Sequence, residues 1–405
     1  MRDPDSVSSR NFALIAAAVI LVIVYGSLYP FRFSANLVPR GPLRALLDTW
    51  RGPTGRADFA ANVLLYLPLG LFSVQSMRRL PVIWRVPFSV SAGVMLSVCM
   101  ELLQFYDQGR ISALVDVYAN TIGVALGSAA GVILFRGAFR WPMGTIGRPF
   151  VLILLACWLG YRLFPYVPVV DLHKYWTAVK ALIYSPVVSP LDVYRHTLTW
   201  LVVAVLVEAL FGTARSRLLP ALVVIVIFAR VMIVDVVLSP AEVAGGAIAV
   251  LVWPTLLSRM QARAAIVAGG FAGVIVIEAL QPFHFSAVAR PFEWIPFKSF
   301  MRGSIGADVS AFLEKTFAYG ALVWLMVRAG SRFRVAMGVS SVLILCLRLA
   351  QVFLPGRSAE ITDPIMVLMA GGVMKLMGEN PSLIGPVQAT TEQSGPLHGS
   401  ASIRY

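Results

Sequence analysis

Charged residues are scarce in this sequence. Only 13% of the 405 residues are Asp, Glu, Lys or Arg, whereas 58% are hydrophobic. A soluble domain carries about a quarter charged residues. A mean hydropathy of +0.78 over so long a chain indicates lipid surroundings rather than a larger soluble core. The composition therefore excludes a soluble enzyme, a DNA-binding domain and a disordered scaffold.

Acidic residues are the rarer of the two charge types. The chain has 20 acidic and 34 basic side chains, which gives a formal net charge of +14. The basic residues stand in short clusters between apolar runs, a pattern that orients membrane helices rather than one that binds nucleic acid. We therefore expect no nucleic-acid partner.

Cysteine and histidine are also few, and several common motifs are missing. The three cysteines lie inside apolar runs, so no disulfide framework is expected. The four histidines are scattered, without a second ligand at metal spacing. No Walker loop, G-x-S-x-G elbow or dinucleotide fingerprint occurs. These absences argue against a metal or other cofactor, ATP-driven transport within this chain and the familiar serine hydrolases.

Long apolar runs dominate what is present. A helix needs about 20 mostly apolar residues to cross a bilayer, and spans of this kind are helical because lipid satisfies no backbone hydrogen bonds. The sequence predicts an all-α fold, a polytopic transmembrane bundle of ten to twelve helices. The twelve candidate spans are Phe12–Leu28, Asp58–Met77, Val86–Phe105, Ile111–Phe135, Phe150–Phe164, Asp192–Phe211, Leu218–Leu238, Pro240–Leu257, Ala264–Gln281, Asp308–Val327, Phe333–Leu354 and Ile361–Met377.

The loops predict an orientation. Those after even-numbered spans are short and rich in Arg without an acidic residue, so they should face the cytoplasm of a bacterial inner membrane, with both termini inside. The long loops near 29–57, 165–191 and 282–307 should then lie outside. We expect a cytoplasmic segment at 1–11 and, because residues 378–405 are polar and rich in Gly, Pro, Ser and Thr, a disordered cytoplasmic tail there.

Two parts of the chain repeat each other. A P-F-x-F-S string opens both the first and the third long loop, at Pro30 and Pro282. Further on, a Gln, an Arg and an Asp recur with constant spacing, which predicts an internal repeat. The matching residues are Gln104, Arg110 and Asp116 in the first copy and Gln351, Arg357 and Asp363 in the second.

The middle of the chain carries the same outline in reduced form. Arg230 lies inside its third span, and the string Ala244-Gly245-Gly246 has a counterpart in Ala370-Gly371-Gly372, but the Gln/Arg/Asp series is missing. We interpret residues 12–140, 141–263 and 264–377 as three four-helix units. The middle one is expected to be a degenerate scaffold.

The first of these units resembles a known family. Its motifs are D-x3-N, then Y-x-P-x-G, E-x2-Q, an Arg, and D-x3-N-x2-G-x3-G, and the series resembles the VanZ-like family of bacterial membrane proteins, the teicoplanin-resistance type. The resemblance implies a cell-envelope protein of four or five helices per unit and an antibiotic-resistance context. Residues 264–377 match in part, with Arg348 where the motif has Glu. The motif residues are Asp58, Asn62, Tyr66, Pro68, Gly70, Glu101, Gln104, Arg110, Asp116, Asn120, Gly123 and Gly127.

Ionisable groups within spans are the candidate functional residues, since each costs roughly 3 kcal/mol on insertion scales. Glu101 and Gln104 project from one face near the outer end of the third helix. Arg110 follows in the turn and Asp116 opens the fourth helix, so the four should converge outside and suit a lipid head group with phosphate or sugar. The alternative is an internal bracket that ties the hairpin together. The third unit offers Arg348, Gln351, Arg357 and Asp363, and Asp58, Asn62, Asn120 and Arg230 are supporting polar residues.

Two arrangements of the buried charges stay open. Glu101 and Arg348 could face each other across an internal pseudo-symmetry axis, with Arg230 as the third such position beside Asp235, or each basic residue could pair locally. The glycines at four-residue spacing, Gly123, Gly127 and Gly131, are typical of close helix packing.

The favoured function is that of an inner-membrane envelope protein that binds or shields a lipid-linked glycan or phosphate at the outer leaflet. Its partners would be membrane lipids, for example a polyprenyl-linked glycan or a lipid phosphate. Two alternatives remain. One is an intramembrane enzyme that acts on such a lipid through its carboxylates, and the other is a secondary transporter, which repeated units can support.

Overall fold

A computed structural model describes residues 9–29, 31, 33–34, 41–49, 55–107, 112–135, 148–184, 188–212, 218–233, 237–301 and 305–378. Within these residues the chain is a helical bundle, and its only β pairing is in isolated bridges, so the all-α prediction is confirmed. A helix lies at each of the twelve predicted spans: α1 (Ser9–Leu28), α3 (Arg56–Ser76), α4 (Val82–Gln104), α5 (Leu114–Phe135), α6 (Pro149–Leu163), α8 (Pro190–Phe211), α9 (Leu219–Met232), α10 (Pro240–Thr255), α11 (Arg263–Leu280), α12 (Ile305–Arg328), α13 (Phe333–Ala350) and α14 (Thr362–Leu376).

Two further helices lie in the long loops and were not predicted. They are α2 (Gly41–Asp48) and α7 (Leu172–Tyr184). Both are too short and too mixed in polarity to stand out as apolar runs. α7 is tied to the rest of the fold because the carbonyl of Ala178 accepts a hydrogen bond of 3.2 Å from the Leu238 N–H.

Eight of the described helices are long and apolar enough to cross a membrane. The others among the twelve fall short for different reasons. α6, α9 and α14 have only 14 or 15 residues, and α12 carries Asp308, Glu314 and Lys315. The count of ten to twelve spans therefore stays a prediction, whereas a membrane protein with several apolar helices fits the structure.

One predicted span is wrong at its end. The sequence suggested a helix from Leu218 to Leu238, but α9 stops at Met232. There the chain leaves the helix to pair with the preceding loop, where Ile233 forms an antiparallel bridge with Pro168. Apolar residues alone could not reveal this exit, because a β-bridge accepts the same residue types.

α3 and α5 pack backbone to backbone. A Cβ built at Gly70, Gly123 or Gly127 would lie 2.0–2.2 Å from a carbonyl oxygen of the opposite helix. Only glycine permits this approach, so the predicted packing role of the glycines is confirmed for this pair. Both helices start at the same end of the bundle, which brings Asp58 and Asp116 of their first turns together.

For description, residues 12–140, 141–263 and 264–377 are called units 1, 2 and 3. Units 2 and 3 share a continuous core in which the first helix of each also packs on the second helix of the other. Gly320 of α12 faces Leu154 of α6, and Gly270 of α11 faces Leu198 of α8. α12 also packs against α3 and joins unit 1 to this core.

Each unit has the same turn after its first helix. Phe31, Tyr166 and Phe283 all have positive φ, between 59° and 64°, and each follows a proline. Their N–H groups donate 2.7–2.8 Å hydrogen bonds to the carbonyls of Leu28, Leu163 and Leu280. Burial raises the pKa of the Tyr166 phenol, which stays protonated and donates to the Gly160 carbonyl at 2.6 Å.

In all three units, a residue just after this turn donates a backbone hydrogen bond to the segment that follows the third helix. The bonds are those from Ser34 N–H to Tyr106 O at 2.8 Å, from Val169 N–H to Met232 O at 2.8 Å and from Ser286 N–H to Phe353 O at 2.7 Å. We call the end of the bundle with these turns the turn end. Units 1 and 3 meet there, since the Tyr25 hydroxyl donates to the Pro296 carbonyl at 2.7 Å.

Candidate functional site

The buried acid of α4 is part of the turn end of unit 1. Glu101 is buried, and its Oε2 accepts a 2.9 Å hydrogen bond from the Ala113 N–H, just before α5. Gln104, one turn on, donates from Nε2 to the Ser27 carbonyl at 3.0 Å. Both side chains therefore fasten the end of α4 to its neighbours.

The acids of α3 and α5 lie beside these groups. Asp116 lies beside Asn62 of α3, and Asp58 lies close enough for its charge to act on Asp116. Asp58 and Asp116 are both partly exposed. Among the residues that the structure describes, no basic side chain forms an ion pair with Asp116. The charge of Asp116 is therefore not neutralised by any basic side chain that the structure describes.

Arg110, the predicted phosphate contact, lies outside the described residues. Of the four site residues predicted in unit 1, the structure describes Glu101, Gln104 and Asp116. An acid that the sequence did not single out lies nearby. Asp107 is 4% exposed, bridges to Phe33, and neither carboxylate oxygen has a hydrogen-bond partner within the described chain.

Unit 3 has a dense ionic cluster at the equivalent place. Asp363 is 0% exposed. Its Oδ1 lies 2.8 Å from the Lys315 Nζ, and its Oδ2 pairs with the Arg348 guanidinium and accepts a 2.5 Å bond from the Tyr319 hydroxyl. Arg348 also donates to Gln351 Oε1 at 2.5 Å. A buried charge pair of this kind is stable only with such additional hydrogen bonds.

A second acid borders this cluster. Glu360, also buried, accepts 2.8 Å hydrogen bonds from the Ser299 hydroxyl and lies 3.7 Å from Lys315 Nζ. Arg357 is not part of the cluster, because its Nε donates to the Gln281 carbonyl at 2.9 Å. Arg357 thus binds the loop after α11, and the grouping of Arg357 with Gln351 and Asp363 around a ligand stays a prediction.

Unit 2 has an ionic cluster that sequence reasoning missed. Glu242, 2% exposed, pairs with Arg162 and lies 3.0 Å from Arg230 Nε. The guanidinium of Arg230 also donates to the Arg162 carbonyl at 3.1 Å. Asp235, the suggested neighbour of Arg230, lies outside the described residues.

One hydrogen bond recurs in the three units. Gln104, Arg230 and Gln351 each donate to the carbonyl three residues before the proline of their own unit's turn, those of Ser27, Arg162 and Ala279. Arg230 therefore makes the same kind of hydrogen bond as the two glutamines, whereas Glu101 accepts from the Ala113 N–H and Arg348 pairs with Asp363. Likewise an acid stands in the first turn of the fourth helix of each unit, Asp116 in α5, Glu242 in α10 and Asp363 in α14.

Two more sequence interpretations are settled by neighbours. Arg348 pairs with Asp363 of its own unit, as the local-pairing alternative expected. The glycine strings of units 2 and 3 are not counterparts, because Gly245 faces His196 of α8 whereas Gly371 faces Met337 of α13. Small residues recur often in membrane helices, so a shared string could not fix the register.

The fold and these clusters define a class of protein, a polytopic helical membrane protein with polar clusters buried at one end of its bundle. Residues 12–136 match the model of a family described as VanZ/LLP1. No curated protein and no solved structure matches the chain. Within the described residues, no group of three or more His, Cys, Asp or Glu side chains could hold a metal ion. The match and the apolar helices together fit a VanZ-like membrane protein.

Proposed function

We propose that this protein consists of three tandem VanZ-like units and that unit 1 binds the polar head group of a lipid-linked glycan or lipid phosphate. The tandem organisation is supported by the three equal turns, by the three hydrogen bonds from Gln104, Arg230 and Gln351, and by an acid in the first turn of each fourth helix. Units 2 and 3 form a common core and would act as the scaffold.

The orientation of the site follows from the positive-inside rule. The short loops at the opposite end of the bundle carry arginines without acids. The turn end would then face the outer leaflet of the bacterial inner membrane, with Asp58 and Asp116 at head-group depth, and Arg110 is predicted from the sequence to join them. A place in the cell envelope and a part in glycopeptide sensitivity would agree with the VanZ-like character of unit 1.

One observation carries the choice of unit 1. Three carboxylates occupy corresponding positions, and two of them, Glu242 and Asp363, are buried and paired with basic residues. Asp116 is partly exposed and lies beside neutral Asn62, with no basic partner among the described residues. A charge without a basic internal partner at the lipid interface can accept hydrogen bonds from a ligand, whereas the other two already have basic partners within the protein.

The chemistry of the ligand follows from the groups available. The carboxylates of Asp58 and Asp116 accept hydrogen bonds from hydroxyl groups, and an arginine at position 110 offers a planar pair of donors to phosphate oxygens. A lipid phosphate that also carries a hydroxylated head group satisfies both.

The test is mass spectrometry of lipids that co-purify in mild detergent. We expect Arg110→Ala to lower the bound lipid phosphate about tenfold, the effect of losing one charge-assisted contact of about 1.4 kcal/mol. Arg357→Ala is the matched control, because it removes an arginine from the corresponding loop whose guanidinium is engaged by the Gln281 carbonyl. Equal lipid content in Arg110→Ala and wild type would show that this head-group site is wrong.

A further inference from the structure

Polar side chains continue below the acidic pair into the membrane. Tyr66 lies one helical turn beyond Asn62 on α3, and Asn120 lies one turn beyond Asp116 on α5, so each stands on the same face as the residue above it. Tyr66 is 1% exposed and Asn120 is 4% exposed. They form a second layer of polar groups at hydrocarbon depth.

This second layer has unused hydrogen-bonding atoms. The Tyr66 hydroxyl lies near Ser97 and Glu101 but makes no hydrogen bond of ordinary geometry with any described residue. Asn120 donates from Nδ2 to the Ser97 hydroxyl at 2.9 Å, while its Oδ1 has no partner within the described chain. One donor and one acceptor are therefore left over in the same layer, both away from water.

The next layer down is different, since its groups bond to one another. The Ser128 hydroxyl donates to Ser89 at 3.0 Å, and Ser89 also contacts the hydroxyl of Ser73. Gln75, deeper still, donates to the Gly131 carbonyl. Unpaired polar atoms thus occur beside the candidate site and not in the serine layer beneath it. Buried polar groups in proteins are almost always satisfied by protein, water or ligand.

Few chemical groups can satisfy both atoms. A partner must accept from the Tyr66 hydroxyl and donate to Asn120 Oδ1. An ammonium group only donates, and an ionised phosphate or carboxylate oxygen only accepts. A hydroxyl group does both, as does water.

We propose that the head-group site extends one helical turn into the membrane and takes a hydroxyl group of a polyol head group between Tyr66 and Asn120. This inference rests on the proposed function and adds the class of ligand, a hydroxylated lipid rather than any lipid phosphate. Asp58 and Asp116 then hold further hydroxyl groups of the same head group at the surface.

The test compares two phospholipids that differ in hydroxyl groups. Delipidated protein in detergent is titrated with phosphatidylglycerol, which has a phosphate and a glycerol diol, and with phosphatidic acid, which has the phosphate alone, and binding is followed by native mass spectrometry. We expect wild type to prefer phosphatidylglycerol about tenfold, the ratio that one satisfied hydrogen bond provides. Tyr66→Phe and Asn120→Leu should each bring this ratio close to one while binding of phosphatidic acid is unchanged.

The control is Tyr25→Phe, which removes a phenol hydroxyl at the turn end whose partner is the Pro296 carbonyl. It should keep the wild-type ratio. Because either Tyr66→Phe or Asn120→Leu could misfold, the test uses both variants, and the result of one stands if the other fails to fold. Wild-type binding of both lipids with equal affinity would mean that water alone fills the space, and the proposal would be wrong. A preference that survives in Tyr66→Phe and Asn120→Leu would also overturn it. If neither lipid binds to wild type, the head-group site itself fails.

Discussion

Units 1 and 3 place a carboxylate at the same point of the fold and treat it in opposite ways. Asp363 has no exposed surface and is surrounded by Lys315, Arg348 and Tyr319. Asp116 is partly exposed and lies beside neutral Asn62. An acid in the first turn of the fourth helix is thus part of an internal ionic cluster in unit 3, whereas in unit 1 it has no basic partner among the described residues.

Few residue differences separate the surroundings of Asp116 in unit 1 from those of Asp363 in unit 3. Where unit 3 has Arg348, unit 1 has Glu101, which instead accepts from the Ala113 N–H. Lys315 of α12 donates to Asp363, whereas neutral Asn62 of α3 lies beside Asp116. An acid with two cations around it has its charge balanced within the protein, so it needs no partner from outside. Three experiments can break or sharpen this contrast.

The largest effect is expected from Asp363→Asn. It leaves Arg348 without its anion and Lys315 with only the more distant Glu360, and removing one partner of a pair whose acid is buried costs about 3–5 kcal/mol. Asp116→Asn, the matched change in unit 1, leaves no cation unpaired among the described residues and should cost less than about 1 kcal/mol. Thermal or denaturant unfolding in detergent would measure both. Similar losses in the two variants would contradict the distinction between anchor and open site.

A medium effect is expected from Gly127→Ala. The new Cβ would lie 2.0 Å from the Leu67 carbonyl oxygen, so α3 and α5 must separate, at a cost of about 1–3 kcal/mol. The separation should also lower lipid binding, because these helices hold Asp58 and Asp116 together.

Gly338→Ala on α13 is the control for this change. A Cβ at Gly338 meets nothing within 4 Å, and alanine favours helix, so this variant should be as stable as wild type or slightly more so. Equal stability of Gly127→Ala and Gly338→Ala would mean that α3 and α5 leave room for a methyl group at position 127.

Much of the fold was predictable because apolar runs of membrane length allow few structures. The twelve predicted segments all contain helices, and the glycine spacing of α5 indicated its close packing. α2 and α7 were missed because a short helix with mixed polarity carries no length signal, and the early end of α9 depends on a long-range bridge between Pro168 and Ile233.

The site was less predictable, since partners come from separate helices. Glu101, Gln104 and Asp116 were found by spacing within one repeat, but Lys315 and Tyr319 lie on α12, where no repeated motif marked them. Glu242 was overlooked because a glutamate replaces the aspartate of the other units. Its signal was its position in the first turn of the fourth helix, directly after the Ser239 cap.

The smallest effect concerns Arg230, and it tests the correspondence of the units most directly. If Arg230 occupies the place of Gln104 and Gln351, then Arg230→Gln should still donate to the Arg162 carbonyl, while Arg162 continues to neutralise Glu242. Arg230→Leu loses that donor and should be less stable than Arg230→Gln by about 1 kcal/mol, the net value of one hydrogen bond. Unfolding of the two variants under the same conditions measures this difference. If Arg230→Leu were as stable as Arg230→Gln, the position would need no donor, and the match of unit 2 to the other units would lose the hydrogen bond on which it depends.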